Sequence, residues 1–178
     1  MESNEPNHPV TDRLGRSMVF LSWIAALALF TFLAQGWLDK TYNPNPSPVA
    51  STSPAGDPQI TLKRNRYGHY VSSGLINGRE AVFLLDTGAT EVVIPAELAA
   101  GYGLQRGPAY QTMTANGLIE VYGTVLETIE LGPLRLYNIR AAINPYMDGT
   151  EILLGMSFLQ HLKFHQQGDE LIISMDNG

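Results

Sequence analysis

Cysteine is absent from this chain of 178 residues, which excludes disulfides, thiolate nucleophiles and thiolate metal sites. Basic residues are also few. Eleven Lys and Arg stand against 17 Asp and Glu, a net charge of −6, so the electrostatic footprint of a nucleic-acid-binding protein is missing. The four histidines, His8, His69, His161 and His165, form no H-E-x-x-H pattern. His161 and His165 are expected at the surface, and no metal or other cofactor is expected. Ser157 lies in Gly155-Met156-Ser157-Phe158-Leu159, which is not the G-x-S-x-G elbow of a serine hydrolase. No G-x-G-x-x-G or other phosphate-cradling loop occurs. Carboxylates remain as the carriers of any chemistry.

What the chain does contain changes character along its length. Residues 1–16 are polar, with Pro6, Pro9, Arg13 and Arg16, and read as a disordered tail. Residues 17–38 (SMVFLSWIAALALFTFLAQGWL) carry no charge. They match the roughly 20 residues a helix needs to cross a bilayer. Ala34-Gln35-Gly36 is a small-x-small triplet of the kind a signal peptidase cuts, but the apolar run exceeds the 7–15 residues usual for a signal peptide. The reading is an uncleaved single-pass anchor. Arg13 and Arg16 precede it and Lys40 follows, so the positive-inside rule places the N-terminus in the cytoplasm and the rest outside. Residues 39–58 contain five prolines among Asn, Ser and Thr and are expected to be a semi-stiff linker.

From residue 59 to 178, short apolar runs alternate with turn signals at close intervals, the pattern of an all-β domain. Asn77-Gly78 and Asn116-Gly117 are two-residue hairpin signals. Pro95 to Gly101 fits a short helix with Pro at its start and Gly past its end, and Met156–Leu162 fits another. The basic cluster Lys63, Arg64 and Arg66 reads as a solvated strand end, with binding of anionic headgroups as the lesser alternative.

The stretch that organises the domain is Val82-Phe83-Leu84-Leu85 followed by Asp86-Thr87-Gly88-Ala89-Thr90. Four consecutive apolar residues predict a strand buried on both faces. An acid at the end of such a strand must find hydrogen-bond partners or hold a proton. Thr87 and the backbone N–H groups of the turn are the expected partners. A positioned, partly desolvated carboxyl suits general acid–base chemistry.

Asp86-Thr87-Gly88-Ala89 resembles the active-site motif of the retropepsin-like aspartic proteases, and Leu153-Leu154-Gly155 resembles that family's second signature. The resemblance covers about Ile60 to Met175 and is closest to a bacterial, membrane-anchored branch. It implies an acid-protease β-barrel with one or two short helices, preceded by a transmembrane helix in the inner membrane, with the domain in the periplasm. It implies Asp86 as the catalytic acid and Thr87, Gly88, Ala89 and Thr90 as its turn. Leu153, Leu154 and Gly155 are then the supporting strand, crossing close to that turn. Thr114, Ala115, Asn116 and Gly117 fall where the family carries a substrate-covering flap. A weak internal echo relates Ile76-Asn77-Gly78 and the run to Asp86 with Leu131-Gly132-Pro133 and the run to Gly155, as in the duplicated lobes of aspartic proteases.

Hydrolysis of a peptide by this chemistry takes two carboxylates, and only one Asp-Thr-Gly is present. The resemblance therefore implies a homodimer with one Asp86 from each copy. Ala89 stands where pepsin-type enzymes have a hydroxyl that donates to the carboxylate, which implies a less acidic optimum than pepsin's. Ile94, Leu118, Ile119 and Ile152 are expected to make an apolar substrate groove. The alternative is a non-catalytic module of the same fold that binds extended peptides by strand addition.

Overall fold

A computed structural model describes residues 9–53, 56–114 and 117–175, in two compact units, residues 1–40 and 41–178. Helix α1 runs from Pro9 to Tyr42. Within it, Met18–Gly36 is long and apolar enough to cross a membrane, a test that a signal sequence also passes. Every side chain from Met18 to Leu33 is exposed, Phe20, Trp23 and Phe30 among them. Water does not favour such a surface, whereas lipid does. The two hydroxyls within the run satisfy themselves inside the helix. Ser22 Oγ donates to the Met18 carbonyl and Thr31 Oγ1 to the Leu27 carbonyl, each at 2.8 Å.

The second unit is nearly all β. Its strands are β1 (Val49–Thr52), β2 (Pro58–Lys63), β3 (Val71–Ile76), β4 (Arg79–Leu85) and β5 (Val92–Pro95). They continue with β6 (Ala109–Thr114), β7 (Gly117–Leu131), β8 (Leu134–Asn144), β9 (Glu151–Leu154), β10 (Leu162–Gln167) and β11 (Glu170–Met175). Strands β3-β4-β9-β5-β8-β7 form one sheet that closes on itself where Leu75 and Ile76 of β3 meet Glu130 and Ile129 of β7. Closure removes the exposed edges that would otherwise invite aggregation. Strand β6 folds back on β7 as a hairpin, and β1-β2-β11-β10 make a separate antiparallel sheet. Ile60, Leu62 and Ile173 carry that sheet's apolar face into the same core as Phe83, Leu126 and Ile152.

The strand order is palindromic. Exchanging β3 with β7, β4 with β8 and β5 with β9 reproduces it, with β4 parallel to β9 and β5 parallel to β8. The internal echo in the sequence matches this symmetry. Asn77 and Gly78 both have positive φ, 50° and 75°, as a tight hairpin turn needs, and join β3 to β4 with Ile76 opposite Arg79.

Several boundaries differ from expectation. The flap strand and the run Thr124–Leu131 are one strand, β7, because nothing in Tyr122-Gly123 breaks the ladder to β8. Leu134–Tyr137 and Ile139–Ile143 are likewise one strand; Asn138 takes φ 55° without shifting the register. Helix α2 (Ala96–Ala99) continues as a 3-10 turn to Tyr102, so its left-handed cap is Gly103, not Gly101. Helix α3 stops at Leu159. Strand β4 is buried at Ala81 and Phe83 but only partly at Val82, Leu84 and Leu85, which departs from burial on both faces.

The largest difference concerns the linker. Residues from Thr41 onward belong to the barrel unit, and β1 pairs with β2 along its whole length. The cause is Asn45, 5% exposed. Its side-chain amide donates to the carbonyls of Lys63 (2.9 Å) and Val71 (2.7 Å), and its Oδ1 accepts the Lys63 N–H at 2.7 Å. Its own carbonyl accepts from Ser73 N–H and Ser72 Oγ, both at 3.1 Å. A spacer by composition is thereby stitched between the ends of β2 and β3. Replacing Asn45 by Ala strands the Lys63 N–H and the Lys63 and Val71 carbonyls that its side chain serves. Chemical denaturation of the Asn45→Ala variant is expected to give a loss of about 3 kcal/mol.

Candidate active site

Strand β4 delivers Asp86 at its C-terminal end. The Asp86 N–H donates to the Leu154 carbonyl at 3.2 Å, one step beyond the parallel ladder of β4 with β9. The chain then turns back on the carboxylate. Gly88 N–H donates to Asp86 Oδ1 at 2.9 Å and Ala89 N–H to the Asp86 carbonyl at 3.3 Å. This Asx-type turn fixes the acid with a backbone donor. The Thr87 hydroxyl does not take the share expected of it: Thr87 is exposed and its hydroxyl finds no partner among the described residues.

Behind the turn, β9 and α3 (Met156–Leu159) cross it at contact distance. A Cβ on Gly155 would lie 2.2 Å from the Glu91 carbonyl oxygen and 2.7 Å from that of Ala89, so only glycine fits. The first N–H groups of a helix lack partners within it. Here Met156 N–H donates to the Ala89 carbonyl (2.8 Å) and Ser157 N–H to the Thr90 carbonyl (3.0 Å). The helix start and the active-site turn complete each other's hydrogen bonding. Ser157 adds a clamp. Its buried hydroxyl accepts the Val92 N–H at 2.9 Å and donates to the Arg140 carbonyl at 2.8 Å, linking α3, β5 and β8.

Asp86 stands between two cavities. One, of about 400 Å³, has Asp86, Gly88, Ala89 and Thr90 on its floor, Val93 and Leu153 on its wall, and Tyr110, Thr112, Met113 and Thr114 of β6 with Ile119 and Val121 of β7 over it. The other, of about 380 Å³, runs past Asp86 and Thr87 along Tyr70, Leu85, Phe164 and Ile173. Of the flap residues, Thr114 lines the first cavity and its hydroxyl donates to the Gly117 carbonyl at 2.9 Å. Ala115 and Asn116 lie outside the described residues.

The expected apolar lining needs correction. Ile119 does face the cavity, but Ile94 and Ile152 are wholly buried in the core and Leu118 is exposed. Side chains alternate along a strand, and the residues facing the cavity are their neighbours Val93 and Leu153. Leu154, beside Leu153, points into the core.

Three further residues shape the site: Ser157, considered above only as a hydrolase nucleophile, and Glu91 and Tyr110, which the sequence reading did not single out. Ser157 sits two positions past Gly155, within the same short motif. Glu91 accepts a hydrogen bond from the Tyr110 hydroxyl, joining the floor of the site to the stem of the β6–β7 hairpin. Burial raises the Tyr110 phenol above its usual pKa, the bond to Glu91 raises it further, and Arg140 offsets part of this.

A closed barrel with an Asp-Thr-Gly turn braced by a glycine crossing is that of a retropepsin-like aspartic protease. The chain belongs to the gag-polyprotein putative aspartyl protease family, whose model matches residues 72–161. A crystal structure of a retropepsin-like aspartic protease from Rickettsia conorii is similar, with a TM-score of 0.55 and 25% identity, covering 72% of this chain and 94% of that one. An uncharacterized protein encoded in the cobV 5′ region of a Sinorhizobium species is 32% identical over 126 residues, 67% of this chain and 53% of the relative. An uncharacterized protein, RP867, of Rickettsia prowazekii strain Madrid E is 27% identical over 119 residues, 65% of this chain and 50% of the relative. The chain thus spans about half the length of these curated relatives.

Two outcomes are expected from the site's geometry. Ser157→Ala orphans the buried Val92 N–H and should lower unfolding free energy by about 1–3 kcal/mol in urea titrations. Tyr110→Phe cuts the tie between floor and flap stem while keeping the ring. Amide exchange in β6, followed by mass spectrometry, should then quicken by about tenfold with global stability little changed.

Proposed function

We propose that the chain is a membrane-anchored aspartic endopeptidase that completes its catalytic pair from two copies of itself. The observation that carries this reading is the state of the Asp86-Thr87 corner: a carboxylate fixed by one backbone donor, beside an exposed Thr87 whose hydroxyl has no partner among the described residues. Glu91, the other acid lining the same cavity among the described residues, is engaged by Tyr110. A second carboxylate therefore comes from another protomer. An isologous contact about a two-fold axis brings two Asp86 side chains together and gives each Thr87 a hydroxyl partner across the axis.

Two carboxyls about 3 Å apart hold one proton between them. The ionised member takes a proton from a water lying between the pair, and that water attacks the scissile carbonyl. The protonated member donates to the carbonyl oxygen as the tetrahedral intermediate forms. The substrate is an extended peptide lying across Gly88 and Ala89, covered by the β6–β7 hairpin, with apolar side chains against Val93, Ile119 and Leu153.

In this reading residues 17–38 anchor the protein as a single pass in the inner membrane. Residues 1–16 face the cytoplasm and the protease domain is periplasmic, following the Arg13 and Arg16 against Lys40 imbalance. Confinement to the membrane raises the local concentration of protomers and favours a weak dimer.

The test is peptide cleavage by the full chain in detergent, with products read by mass spectrometry. Asp86→Asn should lower kcat by about 10³-fold or more while cross-linking still traps the dimer. The wild-type optimum should lie above about pH 3, because Ala89 offers the carboxylate no hydroxyl. A dimer without turnover at any pH would leave a peptide-binding module instead.

A further inference from the structure

Three of the chain's 11 Lys and Arg residues, Lys63, Arg64 and Arg66, fall within four positions of an otherwise acidic protein. They lie at the end of β2 and in the turn that follows, and that turn is held in one shape. Asn65 Oδ1 accepts the N–H groups of Tyr67 (2.9 Å) and His69 (3.0 Å), and Asn65 N–H donates to the His69 carbonyl at 2.8 Å. The Asn65 side-chain amide donates to the Tyr42 carbonyl at 3.0 Å, and the rings of Tyr42 and Tyr67 lie 6.4 Å apart. The basic turn is therefore fastened to Tyr42, the last residue of α1.

Tyr42 follows the end of the apolar span, Gly36, by six residues. At helical rise this is about 9 Å. A headgroup layer is about 5–7 Å deep on each side of the hydrocarbon. Chain length thus leaves the turn within reach of the headgroups.

The charges there have different commitments. Arg64 stacks 5.5 Å over the Tyr70 ring and pairs with Asp169 at 3.8 Å, so it serves the fold. Lys63 is exposed and stands opposite Glu170 across the β2–β11 ladder. Arg66 is exposed and lies 5.1 Å over the ring of Tyr67, itself 57% exposed. An outward Arg on an outward Tyr offers a planar donor for phosphate and a ring suited to the interface.

We infer that the turn Lys63–His69 is a binding surface for anionic phospholipid headgroups, with Arg66, Tyr67 and Lys63 as its ligands. It holds the domain down on the bilayer, so that two protomers meet at the same height. This rests on the membrane-anchored reading above. Arg66 and Lys63 supply the attraction, which weakens with salt over a Debye length.

The absence of cysteine makes the test clean. The full chain carrying His69→Cys is labelled with a fluorophore and placed in nanodiscs of phosphatidylcholine, with or without phosphatidylglycerol, containing a headgroup-attached quencher. Quenching should rise by about twofold or more in the anionic discs. It should fall to the neutral-disc level at high salt and in Lys63→Gln/Arg66→Gln. Equal quenching in the two lipids, with the chain retained in the discs after alkaline carbonate, would overturn the headgroup contact alone. Release of the chain by carbonate would overturn the anchored reading and this inference with it.

Discussion

The approach of two backbones at Gly155 governs the Asp86 corner. Strand β9 reaches between β4 and β5, the two strands that the Asp86 turn connects, and α3 begins directly under that turn. The carbonyls of Ala89 and Thr90 would otherwise face a buried wall without partners, and the first N–H groups of α3 would be equally orphaned. Each deficit is the other's remedy. A side chain at Gly155 would force the pair apart, and with it the N–H that holds Asp86 to Leu154. Ser157 extends the same arrangement to β5 and β8. The rigidity of the acid is thus a property of the segment behind it more than of its own turn.

The family motifs and hairpin signals were readable because they rest on local rules. Asn77-Gly78 takes positive φ at both positions, and Asp86-Thr87-Gly88 follows an apolar run that is indeed a strand. What escaped the sequence depends on partners distant along the chain. Asn45 looks like one more polar residue in a proline-rich stretch until β2 and β3 bring Lys63 and Val71 to it. Tyr110 and Glu91 lie 19 positions apart, and no local pattern pairs them. The parity of β5 and β9 was missed for a related reason. Consecutive apolar residues such as Val92-Val93-Ile94 leave the inward face undecided until the neighbouring strands are known.

The domain therefore combines a stiff floor with a roof that is tied at its stem. β6 and β7 extend beyond the closed barrel, and the Tyr110 hydroxyl on Glu91 anchors the hairpin where it leaves the barrel. Further out, Thr112, Met113 and Thr114 overhang the cavity.

A chain that carries one Asp-Thr-Gly corner per copy has an arithmetic consequence. If two copies complete the centre, sparse protomers give output that follows the square of their surface density. Doubling expression would quadruple turnover, and diluting the protein by membrane growth would silence it without any inhibitor. Synthesis rate and bilayer area would then set the protease's threshold.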